Sequence, residues 1–136
     1  MEPFVVESIE DSEAFWATFE DDGRAAYLYL GTEIGIVADV WLYNRLPAPD
    51  RSEFSKRKNL PFMNPREFIS DELVDPVTDE ADLAFEWKKG AAAGEVEVTL
   101  RIRGVLFARL VPGARPGWSR LAVKESPVAK VLPRDP

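Results

Sequence analysis

Glu20, Asp21 and Asp22 stand in a row ahead of Gly23, and Asp39 interrupts an otherwise apolar stretch from Ile36 to Tyr43. Hard divalent cations such as Mg²⁺ and Ca²⁺ take several carboxylate oxygens. Glu20, Asp22 and Asp39 are therefore the candidate metal ligands, and one reading is an enzyme working through carboxylates and an oxygen-bound divalent metal. The competing reading is structural. Asp-Asp-Gly is turn chemistry, neighbouring acids on a strand point to opposite faces, and the acids lack the alternating spacing and distal Glu of a Ca²⁺ loop. Asp39 must be hydrogen-bonded or paired if it is buried, or its pKa rises. Arg109 or Arg120 can answer it from another strand.

The chain has no His and no Cys among its 136 residues. That removes Ser-His-Asp catalysis, His-ligated zinc or iron, thiol nucleophiles, disulfides and Fe–S clusters. Gly31-Thr32-Glu33-Ile34-Gly35 lacks the glycine spacing of a dinucleotide fingerprint, no P-loop is present, and no cofactor is expected. Net charge is −7 and unevenly placed: residues 1–44 hold ten acids against one base, residues 101–136 eight bases against two acids. Such a bipolar surface can steer a charged protein partner. The overall sign argues against nucleic acid. The candidate partner-binding residues are the basic run Lys56, Arg57 and Lys58, with Trp118 and Arg120 near the C-terminal end.

The elements that must position these groups are strands. Phe15 to Leu30 reads as a hairpin about Asp22-Gly23. Ile36–Tyr43, apolar on both sides apart from Asp39, reads as a central strand. Leu83–Lys88, Glu95–Arg103, Val105–Val111 and Trp118–Val123 complete about seven mostly antiparallel strands, with a tight turn at Arg103-Gly104. The fold class is mainly β: a curved sheet or small sandwich with one short helix. That helix is placed at 65–73, with Asn64 as N-cap, Pro65 at its first position and Glu67 three residues after the cap. Residues 1–125 form a single β-rich domain with a Pro-rich, basic insert at 46–82, where five prolines fall between Pro47 and Pro76. Residues 126–136 read as an extended tail. The N-terminus resembles no signal peptide and no apolar run spans a bilayer, so no membrane partner is expected and the location is cytoplasmic.

Phe19-Glu20-Asp21-Asp22-Gly23, the strand Tyr27-Leu28-Tyr29 and the later Asp39-Val40-Trp41-Leu42-Tyr43-Asn44 resemble a small bacterial domain family of uncharacterised function. It is marked by a FEDDG hairpin and a later D-x-x-x-(I/L)-Y-N strand. The strand ending at Trp87, the Val98–Ala108 hairpin and Gly117-Trp118-Ser119-Arg120 are similar too. The likeness covers about 15–45 and 83–121 and departs at 46–82. It implies a β-rich fold and no particular activity. The leading function is a non-catalytic binding or interaction domain using the outer sheet face and the 45–66 loop, toxin-neutralising proteins being one subtype. The alternatives are the carboxylate–metal enzyme and a self-associating module, a homodimer paired through exposed strand edges.

Overall fold

The computed structural model describes residues 2–57, 60–92 and 94–133. Among these, alternating side chains punctuated by turn residues build nine strands in two sheets. The first sheet orders β1 (Phe4–Ile9), β2 (Trp16–Asp21), β3 (Ala25–Thr32) and β4 (Gly35–Asn44), all antiparallel. The second orders β5 (Leu83–Lys89), β6 (Val96–Ile102), β7 (Val105–Leu110), β8 (Trp118–Ser119) and β9 (Lys130–Val131), with β8 and β9 parallel.

Turn chemistry sets the two best-read hairpins. At β2–β3, Asp21 Oδ1 accepts from Gly23 N, Asp22 Oδ1 accepts from Arg24 N and Ala25 N, and Gly23 takes φ 91°. At β6–β7, Arg103 (φ 50°) and Gly104 (φ 81°) form a two-residue turn of the kind that matches strand twist.

The sheets stack on the residues that alternate inward. Ala17, Phe19, Leu28, Leu30, Ala38 and Val40 of the first sheet are fully buried, as are Val98, Leu100, Ala108 and Leu110 of the second. β4 packs on β7 and β8, and β3 on β7. At the far side Trp87 Nε1 donates to Ser8 Oγ (3.0 Å) and Lys89 Nζ meets Glu10 Oε1 (2.6 Å), joining β5 to the β1 edge. Ser12 Oγ also donates to the Glu10 carboxylate.

The strand count and the helix differ from the sequence expectation. β1 was not expected because FVVESI is apolar on both faces, so its alternation is weak. β4 is the last strand of its sheet rather than a central one. Its free edge is nonetheless paired: Gly113 N donates to Val37 O, Asp39 N to Ala114 O, Gly117 N to Asp39 O and Trp41 N to Val128 O. The expected helix at 65–73 is a 3-10 turn, Arg66–Phe68, and Pro65 rather than Asn64 precedes it. Ile69 is extended and bridges Ala122, while Ser70 N and Val123 N bond across the same seam, so neighbouring chain draws the segment out before a second helical turn forms. A second 3-10 turn, Glu80–Asp82, leads into β5.

The described residues of the 46–82 insert are tied to the sheet at several points. Arg24 Nη2 contacts both oxygens of Glu53 (3.1 and 2.8 Å), Glu53 Oε1 accepts from Met63 N, and Tyr43 Oη accepts from Val77 N. Residues 126–133, expected as a tail, are extended but packed: Val128, Ala129 and Leu132 are buried and Lys130–Val131 is a strand. Among the described residues no helix is long and apolar enough to cross a membrane.

Candidate functional site

Strand register assigns the outer face of the first sheet. One row crosses it as Ile9, Trp16, Gly31 and Ile36; the next as Glu7, Thr18, Tyr29 and Asp39; the third as Val5, Glu20, Tyr27 and Trp41. In the first row the Trp16 indole lies flat on Gly31, where an added Cβ would stand 2.0 Å from Trp16 Cζ2. Trp16 Nε1 donates to Thr32 O at 3.1 Å, so the ring is held on the sheet surface.

In the other two rows Tyr27 and Tyr29 stack, their centroids 5.9 Å apart and their planes 14° from parallel. Leu60, Pro61 and Phe62 approach from the insert, and Pro127 and Val128 from the C-terminal segment. With Asp39 they enclose a groove of about 400 Å³. That size is within the range of side-chain and small-molecule sites. The walls are anchored. Tyr27 Oη donates to Phe62 O at 2.6 Å. The Asn44 side chain makes a two-way contact with the Asn64 backbone: Asn64 N donates to Asn44 Oδ1 (3.0 Å) and Asn44 Nδ2 donates to Asn64 O (2.9 Å). Trp41 Nε1 donates to the same Asn44 Oδ1 at 2.8 Å. Trp41 N to Val128 O fixes the opposite wall.

Asp39 is the carboxylate that lines this groove, beside Tyr27 and Tyr29. Its side chain is 29% exposed, and its ionic partner is Arg115, with Nη1 3.9 Å from Oδ2. Among the described residues no hydrogen-bond donor reaches its oxygens. Burial holds its pKa above the ordinary carboxylate value, and Arg115 partly offsets this. Burial likewise pushes the Tyr27 and Tyr29 hydroxyls up, helped for Tyr29 by the charges of Glu20, Asp39 and Asp22. Both phenols are neutral across the physiological range.

Arg109 and Arg120, the expected partners of Asp39, are engaged elsewhere: Arg109 with Glu97 and Arg120 with Glu72 (3.0 Å). The three candidate metal ligands lie around the same tyrosines but do not converge. Asp22 is turned into its own hairpin by two backbone N–H groups. Among the described residues no group of three or more Asp or Glu side chains is placed to hold a metal ion.

The candidate partner-binding residues do not gather into one patch. Lys56 and Arg57 are exposed on the insert, and Lys58 lies outside the described residues. Trp118 sits on the outer face of the second sheet, register partner of Arg109 and Lys130, with both cations over its ring at 4.7 and 4.9 Å. A larger hollow of about 500 Å³ lies beside Lys88–Gly90, Gly94–Glu97, Val111 and Pro112. It has no aromatic wall, and its Lys89 is already bound to Glu10.

The sequence places Tyr27 and Tyr29 among strand aromatics that mark a binding patch if they face outward, without assigning their face, and does not single out Phe62. A signal for the tyrosines was present: the hairpin pairs them with Glu20 and Thr18, polar residues whose face must be the wet one. Compared with protein-family models, curated proteins and solved structures, the chain has no match.

Proposed function

We propose that this protein is a non-catalytic binding domain that engages a protein partner through the outer face of its first sheet, with the 45–66 loop as one rim. The observation that carries this reading is the first outer row. Ile9 is 58% and Ile36 43% exposed, and Ile34, at the adjoining turn, is 88% exposed. A contiguous apolar strip with an aromatic at its centre is the usual anchor of an interface. Glu7, Glu20 and Asp39 in the neighbouring rows supply orientation and encounter rate. Lys56 and Arg57 are exposed at the rim and make no ion pair among the described residues. A toxin-neutralising protein is one form such a domain takes, an acidic surface (net charge −7) covering the working surface of a basic partner in the cytoplasm. The likeness to the FEDDG family supports the architecture and supplies no mechanism.

The test is affinity capture from the source cell with three single variants. Ile9→Glu and Ile36→Glu should each abolish recovery of a stoichiometric partner, while Val105→Glu, 42% exposed on the second sheet, should leave it intact. Recovery that is indifferent to both first-sheet variants removes the reading.

A further inference from the structure

We infer that the groove between Tyr29 and Phe62 is a subsite for the cationic end of a lysine or arginine side chain presented by the protein partner. The inference rests on the interaction reading above and assigns its chemistry. Four observations converge. The lining is aromatic and aliphatic, from Tyr27, Tyr29, Leu60, Phe62 and Val128, so it accepts the methylene stem that long cationic side chains bury. The stacked tyrosine pair offers a π surface, and aromatic faces attract ammonium and guanidinium groups within about 6 Å of the ring centroid.

The lining contains one charge, and it is negative. Asp39 has no hydrogen-bond donor among the described residues, and Arg115 reaches it only at 3.9 Å. A half-buried carboxylate so weakly answered is stabilised by a cation that enters the groove. Finally, the groove is braced by hydrogen bonds. The Asn44–Asn64 contact, the Tyr27–Phe62 bond and the Trp41–Val128 bond fix three of its sides. Little ordering is therefore required of the protein when a side chain enters.

Asp39 and the tyrosines lie one and two rows from the exposed isoleucine strip. A partner seated on Ile9, Trp16 and Ile36 thus has the groove within reach of a long side chain. A neutral apolar side chain of equal length would gain the walls but leave the carboxylate in place and lose its contact with water. That difference is the basis of discrimination.

The test uses the full chain and small probes, with no partner needed. N-acetyl-lysine methylamide and N-acetyl-arginine methylamide are titrated while amide resonances are followed by NMR. N-acetyl-norleucine methylamide is the neutral control. Both cationic probes should shift Tyr27, Tyr29, Asp39, Phe62 and Val128 together, with dissociation constants of roughly millimolar order. Asp39→Asn should weaken the cationic probes about tenfold and leave norleucine unchanged. Tyr29→Leu should weaken them about two- to fivefold. Equal response to lysine and norleucine probes, or no response at the groove, overturns the inference. If the probes fail while Ile9→Glu still abolishes capture, the subsite falls alone. If the probes bind as described while capture ignores Ile9→Glu, the interaction face falls and the cation site remains.

Discussion

Replacing Asn44 by Ala should be among the most damaging single changes outside the apolar core, although Asn44 itself is polar and part-exposed. Its amide answers three groups: Trp41 Nε1, Asn64 N and Asn64 O, at 2.8, 3.0 and 2.9 Å. Trp41 is 1% exposed and Asn64 fully buried, so none of the three has water to fall back on. Leaving one buried donor or acceptor unsatisfied costs about 1–3 kcal/mol. The three are neighbours and their costs do not add fully. A total of about 3–5 kcal/mol is expected, against a whole-domain stability of about 5–15 kcal/mol. With a urea slope of about 1–3 kcal/mol/M, the midpoint should fall by about 2 M. The internal control is Asn64→Ala. The clamp uses only the Asn64 backbone, and the Asn64 amide atoms have no hydrogen-bond partner among the described residues. Deleting them relieves two buried polar atoms while opening a small cavity, so the net change should stay within about 1 kcal/mol. The assay is equilibrium urea unfolding of both variants beside the parent. If Asn44→Ala costs under about 1 kcal/mol, or Asn64→Ala costs as much as Asn44→Ala, the hydrogen-bond account of this loop is wrong.

Gly31→Ala should destabilise by about 1–3 kcal/mol, because the new methyl occupies the place of the Trp16 ring and the indole must leave Thr32 O. A red-shifted tryptophan emission should accompany the lower urea midpoint, and an unchanged midpoint would show that Trp16 does not rest on the sheet. Two acids should respond to pH with opposite sign. Hydrogen bonds from Lys89 and Ser12 hold the Glu10 pKa below its ordinary 4.5. Its contribution is therefore present above pH 4.5 and is lost as pH falls through the lowered value, and Glu10→Gln should flatten the acid limb of a stability–pH profile. Burial raises the pKa of Asp39, so its ionised form opposes folding above that raised value. Asp39→Asn should be more stable than the parent at neutral pH, and the advantage should vanish as pH falls below 3.8. Parallel profiles for parent and variants would refute both assignments.

The fold was most legible where one residue type had one physical use. Asp22-Gly23 and Arg103-Gly104 needed a positive φ, the first with a polar side-chain cap, and both became the expected turns. Val96, Val98, Leu100 and Ile102 alternate with Glu97, Thr99 and Arg101, and β6 has one buried and one wetter face. Legibility failed where distant chain decided the outcome. β4 has its edge paired by the backbone of Gly113, Ala114, Gly117 and Val128, and nothing within Ile36–Tyr43 distinguishes that pairing from a further strand. Asn64-Pro65-Arg66-Glu67 carries helix-start chemistry, yet the backbone of Asn64 is claimed by Asn44 and Ile69 by Ala122. The site was half legible. Asp39 stood out as an acid in an apolar run, but its partner Arg115 lies in a Pro/Gly loop whose position is set by tertiary contacts. The aromatic wall from Phe62 could not be assigned, since its place depends on the fold of the whole insert.

The contacts that order the insert are the contacts that build the groove. Glu53 fixes the insert to Arg24 at the β2–β3 turn, Asn44 fixes it to the end of β4, and the stretch between those anchors carries Leu60, Pro61 and Phe62 onto Tyr27. Shortening the loop would therefore remove one wall and leave the tyrosine pair facing solvent. On the opposite wall, Val128 is held by the same Trp41 whose indole is bonded to Asn44. Asn44 thus couples both walls through one side chain, and loosening it should open the groove from two sides at once. This coupling explains how the described residues of a proline-rich segment with little regular structure are held on the sheet. Its conformational entropy is offset by burial against a sheet face that would otherwise expose Tyr27 and Trp41, about 1.5–3 kcal/mol for each large apolar side chain covered. Across the outer face Ile9 and Ile36 stay 58% and 43% exposed on either side of Trp16, and it is there that a partner has surface to gain.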